Sequence, residues 1–279
     1  MNETGARVIR VALLDLYEGA VNQGMRCIRQ LVYAYGEQAG LTMVLDEFDV
    51  RRESILPGTD YDVYISSGGP GSPLESEGSD WENRYFDWIS ALLLYNQSAT
   101  IKRHVLFICH SFQLACRYFD VASVNKRKST AFGVFPVHAL AEAESEPIFA
   151  QLGDPFYAVD SRDYQITQPN LHRIVEMGAR ILAIEKARPH VPYERAIMAI
   201  RFNDCMIGTQ FHPEADAVGM LQYLHDDTRK KMVIEQHGSD KWESMVEQLN
   251  DPDKILHTYA TFIPNFITQA IQTDPMNSY

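Results

Sequence analysis

The sequence predicts an α/β fold: a central, mostly parallel sheet with helices on both faces, plus a C-terminal helical extension. Three observations lead there. Strand-like and helix-like stretches alternate with short links over residues 8–119, the pattern of a sheet wound on both sides. The runs at 8–16, 61–67 and 105–108 are rich in apolar and β-branched residues, as strands covered on both faces are. Beyond Pro213 the periodicity turns helical.

The first strand, 8–16, reads V-I-R-V-A-L-L-D-L, and a glycine-containing loop follows over 17–24. Over 25–35 apolar residues recur at Met25, Ile28, Leu31, Val32 and Tyr35, one face of a helix. A second strand spans 41–48. A third, 61–67, runs into the turn cluster Gly68-Gly69-Pro70-Gly71. A helix over 81–95, a short buried strand over 105–108 and a helix over 111–119 complete the first half. Ligands bind outside the carboxyl ends of such strands, so the loops after Leu16, Ser67 and Ile108 are the places to look.

The second half changes rhythm. Short strand-like runs at 133–138, 156–159, 181–184, 196–202 and 206–211 read as antiparallel additions to the sheet. Helices are expected over 215–225, 229–237, 242–249 and 255–271. Two units follow: a domain over 1–225 and a helical extension packed on it over 226–279.

Composition narrows the function. Of 279 residues, 46% are hydrophobic and 22% charged, which is ordinary for a folded globular chain. Lysine and arginine number 25 against 37 acidic residues, a formal charge of −12. Such a surface repels phosphate backbones and anionic lipid heads, so neither nucleic acid nor a membrane is an expected partner. The local triplet Lys126-Arg127-Lys128 offers a place for one small anion. Four scattered cysteines (Cys27, Cys109, Cys116 and Cys205) fit reduced thiols rather than a disulfide framework or a metal knuckle. The polar start lacks the apolar core of a signal peptide, and no run of about 18 apolar residues occurs. A soluble cytoplasmic protein is expected. The sequence holds no nucleotide-binding glycine fingerprint and no histidine-rich metal spacing, so neither a cofactor nor a metal is expected. Asp46, Glu47 and Asp49 read as a solvated edge.

Cys109 closes an apolar strand and opens a helix, in Phe107-Ile108-Cys109-His110-Ser111-Phe112-Gln113. An isolated cysteine is most often a buried packing residue. At a strand-to-helix turn, however, the helix N-terminus favours its thiolate. The same turn aims the His110 backbone N–H at whatever the sulfur attacks. His212-Pro213-Glu214 ends the last strand-like run. Alone it reads more readily as a surface turn. Beside a cysteine it supplies a general base with a carboxylate to orient it. The glycines of Ser67-Gly68-Gly69-Pro70-Gly71 allow close backbone approach, so a peptide N–H can serve as a second oxyanion donor. A pyrophosphate-cradling loop is the rival reading, but Gly71 stands where such a loop has its aspartate.

The three motifs in this order resemble the class I glutamine amidotransferase family over roughly residues 8–224, and the flavodoxin-like fold of that family matches the predicted one. The resemblance implies a catalytic triad of Cys109, His212 and Glu214, and an oxyanion loop at Gly68, Gly69 and Gly71 with His110. It also implies a substrate-holding role for Gln113. Gly-Thr-Gln-Phe-His-Pro-Glu, 208–214, is most similar to the GMP synthetase amidotransferase domain. Two positions depart: Phe107 and Ser111 stand where the family's turn usually carries glycine. Phe-Ile-Cys, Phe132-Gly133-Val134-Phe135 and Asp160-Ser161-Arg162 are instead similar to the homoserine O-succinyltransferases, which implies substrate contacts at Ser161 and Arg162.

The resemblance therefore implies a hydrolase that releases ammonia from glutamine through a Cys109 thioester. No ATP-binding synthetase module is legible, so two readings stand: a separate ammonia-accepting synthetase as partner, or a free-standing hydrolase. The alternatives are an acyltransferase using acyl-coenzyme A through the same triad, with Lys126, Arg127 and Lys128 holding the coenzyme's phosphates, or a non-catalytic homologue. The oligomeric state is left open.

Overall fold

The computed structural model describes residues 7–190, 192–251 and 254–272. The polar start over 1–6 and the end of the expected extension, 273–279, lie outside them. In the first half β1 (Val8–Asp15), α1 (Gly24–Ala39), β2 (Thr42–Asp49), β3 (Val63–Ser66), α2 (Asp80–Ser98), β4 (His104–Ile108) and α3 (His110–Phe119) alternate. Then come β5 (Ala122–Ala139), β6 (Phe156–Pro169), α4 (Leu171–Met177), β7 (Arg180–Glu185), β8 (Ile197–Asn203) and β9 (Met206–Thr209). The chain ends in α5 (Ala217–His225), α6 (Asp227–His237), α7 (Ser239–Leu249) and α8 (Ile255–Gln272).

Among the described residues the strands form one sheet in the order β2-β1-β3-β4-β9-β8-β6-β5-β7. The β2-β1-β3-β4-β9 half is parallel and the remainder antiparallel. β9 is the joint: it runs parallel to β4 and antiparallel to β8.

Alternate side chains of each strand serve opposite faces. Ile9, Val11 and Leu13 of β1 pack with Met25, Ile28 and Leu31 of α1 and with Phe262, Ile263, Phe266 and Ile267 of α8. Ala12 and Leu14 face the other way, onto Tyr85, Trp88 and Ile89 of α2 and Phe112 and Leu114 of α3. The four α8 side chains are fully buried, each contributing about 1.5–3 kcal/mol of burial free energy. Phe262 also meets Phe211 edge-on at 5.4 Å, and Phe211 meets Phe156 at 5.4 Å. This aromatic ladder ties α8 to the residue just before His212.

Three elements differ from expectation. β5 begins at Ala122, eleven residues before the expected strand at Gly133. Its first part is polar (Asn125, Lys126, Arg127, Lys128, Ser129, Thr130). Asn125 and Lys126 pair with β6, the register breaks between Lys126 and Ala131, and side-chain bonds from Asn125 to Thr167 and from Arg127 to Gln165 help hold it where no apolar pattern shows. β6 likewise continues ten residues past Val159, to Pro169. α4 was not expected. Its signals are local: the Asn170 side chain caps its start by accepting from the Arg173 N–H, and Gly178 ends it in the left-handed region at φ 66°.

His104 opens β4 in the interior, where burial pushes its imidazole down to about 4, with Arg201 adding to the effect and Asp204 opposing it. In the unfolded chain it titrates near 6.5. Below that pH the unfolded state takes a proton the folded state refuses. Stability is thus undiminished above pH 6.5 and falls as pH drops toward about 4, by up to about 1.4 kcal/mol per pH unit. His104→Gln is expected to flatten the decline in urea-unfolding free energy between pH 6.5 and 4.5. An unchanged slope would contradict the assignment.

Candidate active site

The carboxyl ends of the parallel strands open onto a cavity of about 410 Å3, bordered by Tyr17, Gly69, Cys109, Gln113, Ser161 and His212 among others. Cys109 is the single residue joining β4 to α3, at φ 50° and ψ −99°. That backbone is one an L-residue keeps only when its surroundings force it. Its N–H donates to the Thr209 carbonyl at 2.7 Å, and its own carbonyl accepts from the Gln113 N–H at 3.0 Å. Ser111 Oγ accepts from the Ile108 N–H at 2.8 Å and donates to the Ser66 carbonyl at 2.8 Å.

The two departures from glycine are thereby accounted for. Ser111 is small enough for the turn and stitches it to β3. Phe107 points to the opposite face, where its ring meets Phe202 edge-on at 6.0 Å.

After Thr209 the chain leaves the sheet, and His212 makes one antiparallel bridge, its N–H donating to the Val159 carbonyl at 2.9 Å. Its Nδ1 lies 2.8 Å from Glu214 Oε1, and the Glu214 side chain is 1% exposed. Burial pulls the imidazole pKa down. The Glu214 carboxylate and the Cys109 sulfur outweigh it and raise the value well above the ordinary one. The second carboxylate oxygen, Oε2, has no hydrogen-bond partner among the described residues.

Close approach explains the glycines. A Cβ on Gly68 would lie 2.9 Å from His212 Cε1 and 3.6 Å from Cys109 Cβ, so only glycine leaves that space open. A Cβ on Gly69 would meet the Leu16 carbonyl oxygen at 2.4 Å. Gly71 turns the loop at φ 85°, and Arg51 holds that loop by donating to the Pro70 carbonyl at 2.7 Å. His110 is buried, its imidazole pushed down to about 3 by burial and then by Arg51 and Arg117, so it is neutral. It faces the site through its backbone at the start of α3.

Gln113 Nε2 donates to Gln210 Oε1 at 3.1 Å, and Gln210 Nε2 donates to Cys109 Sγ at 3.6 Å. The Ser161 carbonyl stands 3.8 Å from the same sulfur. Gln210 was not singled out from sequence, although it lies two residues before His212. Tyr17, the second residue past β1, was also missed. A Cβ on Gly24 would lie 2.5 Å from its hydroxyl and 3.2 Å from Glu214 Oε1, so the two side chains border the same space.

Arg162 borders the cavity, but its guanidinium is turned into the interior. Nε donates to both Asp160 oxygens at 2.9 and 3.0 Å, and Nη2 lies 3.5 Å from Glu185. Arg127 joins the same network, 3.2 Å from Glu185. The triplet Lys126-Arg127-Lys128 is therefore not one outward basic patch, which corrects the expectation that it anchors a coenzyme's phosphates. Of the other thiols, Cys27 is pushed up to about 12 by burial, and burial also raises Cys116 and Cys205.

Among the described residues no group of three or more His, Cys, Asp or Glu side chains is placed to hold a metal ion. Nor, among the described residues, is any helix long and apolar enough to cross a membrane.

A sequence model of the class-I glutamine amidotransferases matches residues 24–228. The chain belongs to the class-I glutamine amidotransferase family. No curated protein matches it by sequence. Solved structures share its fold at low identity. A glutamine amidotransferase from Thermotoga maritima is 16% identical, with TM-score 0.68, over 95% of this chain and 98% of that one. One from Methylobacillus flagellatus is 16% identical, with TM-score 0.63, over 96% of each chain. The glutaminase domain of Trypanosoma brucei CTPS, solved with acivicin bound, is 13% identical, with TM-score 0.57, over 95% and 94%. Membership makes this an enzyme of the glutamine amidotransferase type, in which glutamine is the nitrogen source.

Replacing Ser111 tests what holds the Cys109 turn. Ser111→Ala leaves the buried Ile108 N–H without its acceptor and is expected to lower the urea-unfolding free energy by about 1–3 kcal/mol. An unchanged midpoint and slope would show that the turn does not depend on this hydroxyl.

Proposed function

We propose that this class-I amidotransferase hydrolyses glutamine through a glutamyl thioester on Cys109, with His212 as general base and acid and Glu214 as its orienting carboxylate. One observation carries the reading: His212 paired at 2.8 Å with a buried Glu214 beside a cysteine held at a left-handed strand-to-helix turn. The thiol proton passes to His212, and the thiolate attacks the side-chain amide carbon. The backbone N–H groups of His110 and Gly69 receive the oxyanion, each such donor being worth about 10²–10³ in rate. His212 then protonates the departing ammonia. Water adds to the thioester, and glutamate leaves with the thiol restored.

Gln113 and Ser161 are assigned to holding the substrate beside the sulfur, with Gly68 and Gly71 shaping the loop. Arg162 acts through Asp160 and Glu185 to hold the wall rather than by gripping substrate. The released ammonia is assigned to a separate synthetase chain, in keeping with the GMP synthetase-like stretch 208–214, and the protein to the cytoplasm. We assign the catalytic unit to residues 1–225 and the helical extension to 226–279, a division supported by the end of the family match at residue 228.

Glutamate release measured with each variant tests the assignment. Cys109→Ala is expected to abolish activity. Glu214→Gln, which keeps the shape but loses the charge, is expected to lower kcat by roughly 10²–10⁴-fold in a folded protein. Full activity in Glu214→Gln would refute the triad, and glutamate release by Cys109→Ala would refute the nucleophile.

A further inference from the structure

An open cavity of about 960 Å3 lies between the β5–β6 pair and α7, apart from the Cys109 site. Three lysines from three separate elements converge on it. Lys186 follows β7, Lys241 belongs to α7, and Lys254 precedes α8. Lys186 and Lys241 both place their ammonium groups over the Phe135 ring, 4.6 and 4.5 Å from its centroid. Lys254 Nζ lies 3.6 Å from the centre of Tyr157.

In a chain of net charge −12, lysines have carboxylates in plenty. Yet among the described residues neither Lys186 nor Lys241 is in an ion pair, while Lys254 reaches Asp251 only at 4.0 Å. A ring face attracts cations weakly and cannot neutralise two ammonium groups. Their mutual repulsion registers on Lys241, whose pKa is lowered by burial and then by Lys186. Lys241 also lies close over the β5 backbone: Gly133 sits at φ 140°, and a Cβ there would come within 3.1 Å of Lys241 Nζ. Ser244 also borders the cavity and accepts from Gln248 Nε2 at 3.0 Å, which leaves its own hydroxyl proton for a ligand.

We propose that this cavity is a second ligand site that takes a small phosphate-bearing anion between Lys186, Lys241 and Lys254. Glu247 and Asp251 also border the cavity, but among the described residues no ion pair joins either to Lys186 or Lys241. Lysine meets phosphate as a point charge, and these two ammonium groups match the near-double charge that a phosphate carries. Each ring already carries an ammonium, so a compact anion fits better than a stacked base. The β5–β6 pair lines both cavities, through Phe132 and Val159 on one side and Phe135 and Tyr157 on the other, so a ligand here touches the strands that also wall the Cys109 site.

Isothermal titration of the full chain with inorganic pyrophosphate near pH 7, at constant ionic strength, tests this. The expected result is saturable one-to-one binding, weakened about tenfold or more by Lys241→Met and by Lys186→Met. Binding should be retained in Cys109→Ala and in Lys230→Met, whose lysine instead covers Trp242. Thermal melting establishes that each variant is folded; if Lys241→Met is not, Lys186→Met on its separate element decides. Absence of saturable binding overturns the proposal. So does binding that a folded Lys186→Met leaves unchanged, or binding that Cys109→Ala abolishes.

Discussion

The backbone at Cys109 is the constraint on which the candidate site rests. A cysteine at φ 50° and ψ −99° costs about 1–3 kcal/mol and survives only where neighbours over-determine it. Four do so. The Thr209 carbonyl holds its N–H, Ser111 ties Ile108 to β3, Gln113 closes the first turn of α3, and Phe107 locks the strand from the opposite face. The result is a thiol projected beyond the sheet's carboxyl edge, next to the first N–H groups of a helix. Replacing the usual glycine by Ser111 exchanges conformational freedom for hydrogen bonds.

The parallel half of the sheet supplies Cys109 and the glycine loop, and the antiparallel half supplies the opposite wall. β9 joins them. By pairing with β4 on one side and β8 on the other, it delivers His212 to a bridge with Val159 of β6. Phe211, wedged between Phe156 and Phe262, fixes where that departure happens. The last helix thus reaches the site indirectly: α8 covers one face of the sheet and clamps the residue before the histidine. Position here comes from packing rather than from contacts with any ligand.

Much of this was legible in the sequence, and the illegible parts share a cause. Apolar periodicity marked β1, α1, β3, β4 and α8 because each buries a face, and the three short motifs marked the strand ends where they meet. The front of β5 is polar and largely exposed where its register against β6 breaks between Lys126 and Ala131, so Asn125 through Thr130 carry no apolar signal. Side-chain direction was equally invisible. Arg162 faces inward to Asp160 and Glu185, not toward a substrate, and Arg127 leaves its basic neighbours for the same network. Gln210 links Gln113 to the sulfur across 97 residues of sequence, a relation no local pattern encodes.

Trapping the intermediate decides the matter. Mixing the protein with glutamine, quenching in acid within the first turnovers and mapping peptides by mass should find a glutamyl group on Cys109. It should be absent from Cys27, Cys116 and Cys205, whose thiols burial keeps protonated. Glutamine consumed with no acyl group on Cys109, or with the group on another residue, would contradict the account.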